Sequence, residues 1–209
     1  MSVMFTSENI IIRKGLPEDA QDFSNLSLLS DPVFCQAIFG SGTRNMLQNL
    51  FRQRRNLFSF EHSYFIEVNG KKAGMILGYD GKSESGETWR TGLLMIKYMK
   101  LGFFTKILSL LKALSAVRRV KDNEYYISNL AVYPEFRGNK LGTNLLVRAE
   151  EGAKSCGAEK MALDVAVNNQ DAIRLYNRLG YSIVGKPLRA RISRKVFTFF
   201  RMYRKIDVV

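Results

Sequence analysis

Residues 125–146 read YYISNLAVYPEFRGNKLGTNLL. The first part, within EYYISNLAVY (124–133), is a strand: aromatic and β-branched side chains in an extended, half-apolar pattern. Directly after it stand Arg137-Gly138, Lys140 and Gly142, and directly after those begins an apolar run at helical spacing, ending at 156 before Gly157. Strand, tight turn and helix start, in that order, turn a row of backbone N–H groups toward one point, and the helix dipole adds positive potential there. Such a place suits an anion, most often a phosphate. An ordinary strand-to-helix turn has the same outline, so the residues around it decide between the two.

Downstream come a strand, KMALDVAV (160–167), a helix, NQDAIRLYNRLG (169–180) closed by Gly180, a short strand YSIVG, and a last strand, KVFTFFRMYRKI (195–206). Upstream, NIIIRKG (9–15) is a first strand. A helix over 16–30 follows, with Pro17 suited to its first turn and Glu18, Asp19 and Asp22 favouring its N-terminus. A second helical region covers 31–56, interrupted near Gly40 and Gly42. Residues 63–79 form a hairpin around Asn69-Gly70, the strongest short turn signal. The polar, Gly-rich GKSESGETWRTG (81–92) reads as a loop, and 93–121 as a helical insertion. In that insertion Phe104, Ile107, Leu108, Leu111 and Leu114 share a face, with Lys106, Ser109 and Lys112 on the other side. Such a helix packs its apolar face on the domain or lies on a membrane surface. With no internal repeat or low-complexity linker, residues 1–209 make one mixed α/β domain carrying a basic helical insertion at about 81–121.

The chain of 209 residues is 46% hydrophobic and 24% charged, the composition of a globular chain rather than a disordered one. Two cysteines, Cys35 and Cys156, cannot make a disulfide framework. The start MSVMFTSEN lacks a signal-peptide layout, and the most apolar stretch, 101–117, is broken by Lys106 and Lys112, so the expectation is a cytoplasmic protein without a membrane span. The net charge of +13 is unevenly placed. Residues 1–90 carry ten basic and ten acidic side chains, and 124–185 carry seven of each. The excess lies in 91–123, at +6, and in 186–209, at +7. Two basic blocks around a neutral middle suit an anionic partner, though two solvated basic faces would give the same count.

The order of strand, phosphate-type turn, helix, strand ending in Asn-Asn, and a helix carrying AIRLYNRLGY resembles the GNAT superfamily of N-acetyltransferases, over about 124–185. The resemblance implies a central mixed sheet of about six to seven strands with one splayed pair, flanked by helices, and acetyl-CoA as co-substrate. The family's turn motif, Gln/Arg-x-x-Gly-x-Gly/Ala, is here Arg137-Gly138-Asn139-Lys140-Leu141-Gly142, with Lys140 where glycine is usual. A lysine there is tolerated if its φ is negative, as in a helix's first turn, and its charge can add to the phosphate contact, so the expectation is that CoA binding survives, in weakened form.

By that resemblance, backbone N–H groups of about 137–143, including those of Asn139, Lys140, Gly142 and Thr143, hold the pyrophosphate. An N–H near Leu130 or Val132, on the strand that splays, polarises the acetyl carbonyl while the pantetheine arm fills the gap. Asn169 contacts the pantetheine arm, although it and Asn168 are also candidate helix N-caps. Tyr176 is the general acid that protonates the leaving thiolate. Asp164, twelve residues before it, stands where family members carry a basic Glu; being shorter, it suits a water relay, or it only ties neighbouring groups down. Glu124, Tyr126, Ser128 and Asn129 are further candidates for the base. His62, the one histidine, is given no role and no metal, and Trp89 with the Tyr79/Tyr98 region is a candidate for the substrate side.

The expected function is therefore acetyl transfer from acetyl-CoA to a primary amine by direct attack in a ternary complex, since neither cysteine stands where a covalent route needs one. A CoA-binding sensor or scaffold without catalysis, and an acetyltransferase acting on an RNA-linked amine, are the alternatives. The family builds its acceptor site from the first helices (16–56), the loop between the last two strands (186–194) and any insertion (81–121). Two of these three overlap the basic blocks, which favours an anionic acceptor.

Overall fold

Eight strands and six helices form among residues 10–98, 120–192 and 195–206, the residues that this computed structural model describes. They are β1 (Ile10–Lys14), α1 (Ala20–Ser30), α2 (Pro32–Phe39), α3 (Thr43–Arg52), β2 (Ser63–Val68), β3 (Lys71–Asp80), α4 (Gly81–Tyr98), β4 (Glu124–Val132), α5 (Leu141–Ser155), β5 (Lys160–Ala166), α6 (Gln170–Arg178), β6 (Ser182–Ile183), β7 (Leu188–Ile192) and β8 (Lys195–Lys205). The apolar face expected over 104–114 lies outside the described residues.

The β2–β3 hairpin turns at Asn69 and Gly70, both at positive φ (51° and 74°), as this dipeptide requires. The sheet runs β1-β2-β3-β4-β5-β8-β6, with β7 paired to the other half of β8; every pair is antiparallel except β4 with β5. Alternation gives the sheet two apolar faces. Tyr125 and Ile127 of β4 and Met161, Leu163 and Val165 of β5 meet α5 and α6, through Leu141, Leu145, Leu146, Ile173 and Tyr176. On the other face Phe65, Met75, Leu77 and Ala131 meet α1, α3 and α4.

Two features shape the middle of the sheet. Leu77 pairs with Asn129 but Gly78 with Ile127, so Ser128 is an extra residue in β4, a β-bulge. And β4 pairs with β5 only from Glu124–Lys160 to Ile127–Leu163. Beyond that point β4 stays on β3 and β5 stays on β8, out to Ala166–Phe199. The two strands therefore part at the bulge and leave a slot that opens through the sheet. This is the splayed pair expected from the resemblance.

Two expectations are corrected. Residues 81–92 are the first turns of α4, not a loop. The helix forms despite its glycines because Asp80 Oδ1 accepts from the Ser83 N–H at 2.6 Å, a local cap, and because its inner side is anchored: Leu94 and Met95 are buried, and the Thr91 hydroxyl accepts from the Leu57 N–H at 3.0 Å. Residues 186–194 are not simply a loop either. They contain β7, whose Ala190 and Ile192 are buried while Arg189 and Arg191 face solvent, and this brings the sheet to eight strands.

Candidate active site

The turn after β4 is a single 3-10 turn, Pro134–Phe136, then Arg137 extended, Gly138 at φ 84° and Lys140 at φ 57°. Lys140 is thus left-handed, not at the negative φ that would let a lysine be tolerated there. An L side chain in that conformation is strained by about 1 kcal/mol or more, and glycine is not. The Arg137 Nε donates to the Val132 carbonyl (3.2 Å), and the Asn139 amide donates to the Phe136 carbonyl (3.2 Å), so both side chains brace the loop from within.

The N-terminus of α5 differs from those of α2 and α6, though α3 also lacks a side-chain cap. In α2, Asp31 Oδ1 accepts from the Phe34 N–H at 2.9 Å; in α6, Asn169 Oδ1 accepts from the Ala172 N–H at 3.1 Å. Asn169, not Asn168, is therefore the cap of α6. Helix α5 has no side-chain cap and no acid in its first turn. The first-turn N–H groups of Leu141, Gly142 and Thr143 thus face outward without a side-chain acceptor from a cap, at the positive end of a 15-residue helix. A Cβ built on Gly142 would meet nothing closer than Leu175 Cδ2 at 3.8 Å. The free protein has room for a side chain there, so a glycine fits a group that approaches the backbone. The turn, the uncapped helix and the slot are joined by one strand, β4.

Tyr176 and Asp164 lie on opposite faces of the sheet. Tyr176, on α6, is nearly buried, its ring 5.7 Å from that of Tyr181, and burial pushes its phenol up to about 12. It therefore carries its proton throughout the neutral range. Asp164 shares the opposite face of β5 with Lys160 and Ala162, by alternation from Leu163. Its two oxygens accept from Arg201 Nε (2.6 Å) and Nη2 (3.0 Å) across the β5–β8 register, and Oδ2 also accepts from the Tyr126 hydroxyl at 3.1 Å. Arg201 is 2% exposed and lies 5.1 Å from the Tyr126 ring centre. Burial works against its charge, but the Asp164 hydrogen bonds and charge outweigh it and hold the guanidinium above its ordinary pKa. Burial first, then the Asp164 carboxylate, pushes the Tyr126 phenol well up.

The same network reaches Tyr79, 5.8 Å ring to ring from Tyr126, and through it His62, whose Nε2 bonds Glu87 at 2.8 Å. Ser128 at the bulge donates to Asn129 Oδ1 (3.1 Å), and the Asn129 amide donates to the Ser30 hydroxyl at the end of α1 (3.2 Å). Phe34 of α2 closes over β8 with edge contacts to Phe197 (5.2 Å) and Phe199 (5.3 Å). The α1–α2 junction and β8 thus wall the Asp164 side of the slot with aromatic rings. The sequence did not mark Phe34, Phe197, Phe199 or Arg201 for this site; the antiparallel pairing of β5 with β8, which brings Arg201 opposite Asp164, is a tertiary fact.

Other expected residues are placed elsewhere. Trp89 is 71% exposed on the outer side of α4 and does not line the slot. Glu124 is buried at the far end of β4, away from the parting, beside Tyr203. The basic block over 186–209 is not wholly surface: Arg201 is spent on Asp164, and Arg204 pairs with Glu150 of α5. Arg189 and Arg191 point away from Asp164, since β7 sets Leu188 and Ala190 beside Phe199 and Phe197. Lys160 and Lys205, with Lys121, Glu124 and Tyr203, instead line a cleft of about 630 Å³ on the Asp164 face. Burial, then the charge of Asp31, pushes the Cys35 thiol up to about 12, and burial first raises that of Cys156, so neither is a ready thiolate. Among the described residues no helix is long and apolar enough to cross a membrane, and no group of three or more His, Cys, Asp or Glu could hold a metal.

Comparison with known proteins agrees with this layout. The family model of the acetyltransferase (GNAT) family matches residues 34–181. An aminoalkylphosphonate N-acetyltransferase of Salmonella typhimurium is 46% identical over 55 residues, 26% of this chain and 36% of that protein. An uncharacterized N-acetyltransferase of Bacillus subtilis is 33% identical over 69 residues, 33% of this chain and 44% of that one. The chain thus spans less than half the length of these curated relatives. An N-acetyltransferase structure from Staphylococcus aureus Mu50 superposes with a TM-score of 0.71 at 21% identity, covering 93% of this chain and all of that one. An acetyltransferase from Salmonella typhimurium, solved with acetyl-CoA, superposes at 0.58 with 18% identity, covering 95% of each chain. With its family match spanning the turn, the slot and α6, the chain belongs to the GNAT family of acetyltransferases.

Proposed function

We propose that the protein transfers an acetyl group from acetyl-CoA to a primary amine, by direct attack within a ternary complex. The observation that carries this is the continuity along β4: a slot beginning at Ser128 runs into a turn whose helix presents uncapped N–H groups beside an open glycine. An elongated thioester with a diphosphate at one end fits that sequence of features. The first-turn amides of α5, with those of Asn139 and Lys140, hold the diphosphate. The unpaired edge of β4, at Leu130 and Val132, offers backbone hydrogen bonds to the arm and an N–H to the thioester oxygen. The donors of the Asn169 amide, whose oxygen is used in the cap, face the arm. Tyr176, kept protonated by burial, gives its proton to the departing thiolate. The acceptor amine enters from the Asp164 face. Both Asp164 oxygens are engaged by Arg201 and Tyr126, so its part is to hold the Tyr126 hydroxyl in place at the parting of the strands, while water carries the ammonium proton away. Two thiols pushed up by burial leave the covalent route without a nucleophile.

The acceptor class follows from charge. On the Asp164 face, Lys121, Lys160 and Lys205 line the 630 Å³ cleft beside Tyr203 at the Glu124 end of β4, and exposed Lys195 stands on the same face of β8 beyond Phe197, toward the parting. They favour an amine that also carries an anionic group. The name of the Salmonella relative, whose aminoalkylphosphonates join an amine to an anion, is in keeping with this.

The test combines binding with turnover. Gly142→Val should weaken acetyl-CoA binding by at least about tenfold in calorimetry while the free protein stays folded, since each 1.4 kcal/mol is a factor of ten. Tyr176→Phe should bind acetyl-CoA as the parent does but turn over an amine found by screening ~10²–10⁴-fold more slowly. Unchanged affinity in the first variant would refute the phosphate site, and parental turnover in the second would refute the acid.

A further inference from the structure

Three of the large apolar side chains that the molecule leaves exposed stand on one helix: Trp89 at 71%, Leu93 at 44% and Ile96 at 44%. Their spacing of four and three residues stacks them on one stripe of α4 within about 60° of arc, at 100° per residue. The inner side of the same helix is already satisfied by Thr91, Leu94 and Met95, so the stripe is not a misplaced core face. Exposed Lys82, Arg90 and Lys97 fall in or beside the same arc. Arg90 Nε donates to the Arg54 carbonyl at 3.2 Å, which draws alongside the loop that bears exposed Arg55; Arg54 itself pairs with Glu61 at 2.9 Å. The two acids of α4 lie on the far side of the helix: Glu87 is turned inward to His62, and Glu84 is half-buried. The result is a tryptophan and two aliphatic side chains in a frame of cations, with no carboxylate in the arc. The sequence continues the theme, since residues 91–123 carry seven basic side chains and one acidic one.

We infer that this outer face of α4 docks the protein on an anionic lipid surface. The chemistry of the two halves fits such a surface. An indole prefers the boundary between headgroups and acyl chains, aliphatic side chains enter just below it, and flanking Lys and Arg pair with anionic headgroups. Charge complementarity favours a bilayer over a second copy of this chain, because a two-fold contact would set these cations against each other. The inference is independent of the acetyl-transfer reading: it concerns a face that shares no residue with the slot.

The chain contains one tryptophan, and it stands at the centre of the stripe, so its emission reports this face alone. The test uses the full chain with vesicles of phosphatidylcholine, and with vesicles in which about a third is phosphatidylglycerol. The expected result is red-shifted, solvent-exposed emission in buffer. It should shift to the blue and become shielded from iodide with the anionic vesicles only, with the protein co-sedimenting, and the effect should weaken in high salt. Lys82→Gln and Lys97→Gln should each lower partitioning about fivefold. Leu93→Ser with Ile96→Ser should abolish the blue shift while leaving the circular dichroism spectrum unchanged, as exposed substitutions do. Emission that is already blue in buffer, meaning the stripe is covered by another segment or another copy, would overturn the inference. So would equal binding to neutral vesicles, or no binding to either.

Discussion

Lys140, at φ 57° in the turn between β4 and α5, carries strain that a glycine there would not. The motif around it was legible, and its departure from glycine was visible, but its backbone angle was not. The chain takes the left-handed turn that the motif's glycine would make, with a side chain that resists it. Lys140→Gly should therefore relieve strain of about 1 kcal/mol, partly offset by the freedom glycine gains when unfolded, and leave a net gain of a few tenths to about 1 kcal/mol. A urea titration measures it. Lys140→Val, β-branched in the same conformation, should lose stability instead. If the glycine variant were the less stable one, the lysine side chain would have to hold the turn by contacts beyond its backbone.

Among the elements, β5 and β8 are fastened by one buried ion pair. Asp164 and Arg201 face each other in register, and each would be left as an uncompensated charge without the other. Asp164→Ala should cost about 3–5 kcal/mol, read from the midpoint of denaturant unfolding. Replacing both partners by apolar residues should recover much of that loss. A cost below about 1 kcal/mol for the single variant would mean that water reaches Arg201 and that the pair is not truly buried. Elements also mark where the sequence was readable. The β2–β3 hairpin, the β4–turn–α5 unit and α6 each announce themselves locally, by Asn-Gly, by the glycines before an apolar run, and by Asn169 and Gly180 at the two ends. Helix α4 does not, because its first turns are held by Asp80 and by a hydrogen bond from Leu57, thirty-four residues away in the chain. Strand β7 was hidden by its arginines, which belong to the solvent half of an edge hairpin. The aromatic wall on the Asp164 face was hidden for the same reason: Phe34 meets Phe197 and Phe199 only after the sheet has assembled.

At the scale of the whole molecule, folding gathers phenols. Burial is the leading cause of a raised pKa at Tyr79, Tyr125, Tyr126, Tyr133, Tyr176, Tyr181 and Tyr203, seven of the nine tyrosines. The folded chain keeps protons that the unfolded chain releases near pH 10. The stability linked to these groups is therefore complete below about pH 10 and is lost as the pH rises above it, toward folded values such as the 12 of Tyr176. Alkaline titration followed at the tyrosinate absorbance should lag behind that of free phenols and then rise together with the loss of helical circular dichroism. Tyrosinate formation near pH 10 with the ellipticity intact would contradict that burial.

The parting of β4 from β5 also bears on how the sheet keeps its own company. A sheet ordinarily has two margins, and each is a template on which a foreign strand can grow. This one has two more in its interior, where β4 beyond Ser128 and β5 beyond Leu163 each leave one row of peptide groups without a partner strand. A margin in the open needs charges or prolines to discourage growth. The interior pair face each other within the sheet, and a full strand laid between them would need nearly 5 Å on each side. An incoming protein strand would have to fit between β4 and β5, a constraint that the two outer margins of the sheet do not impose.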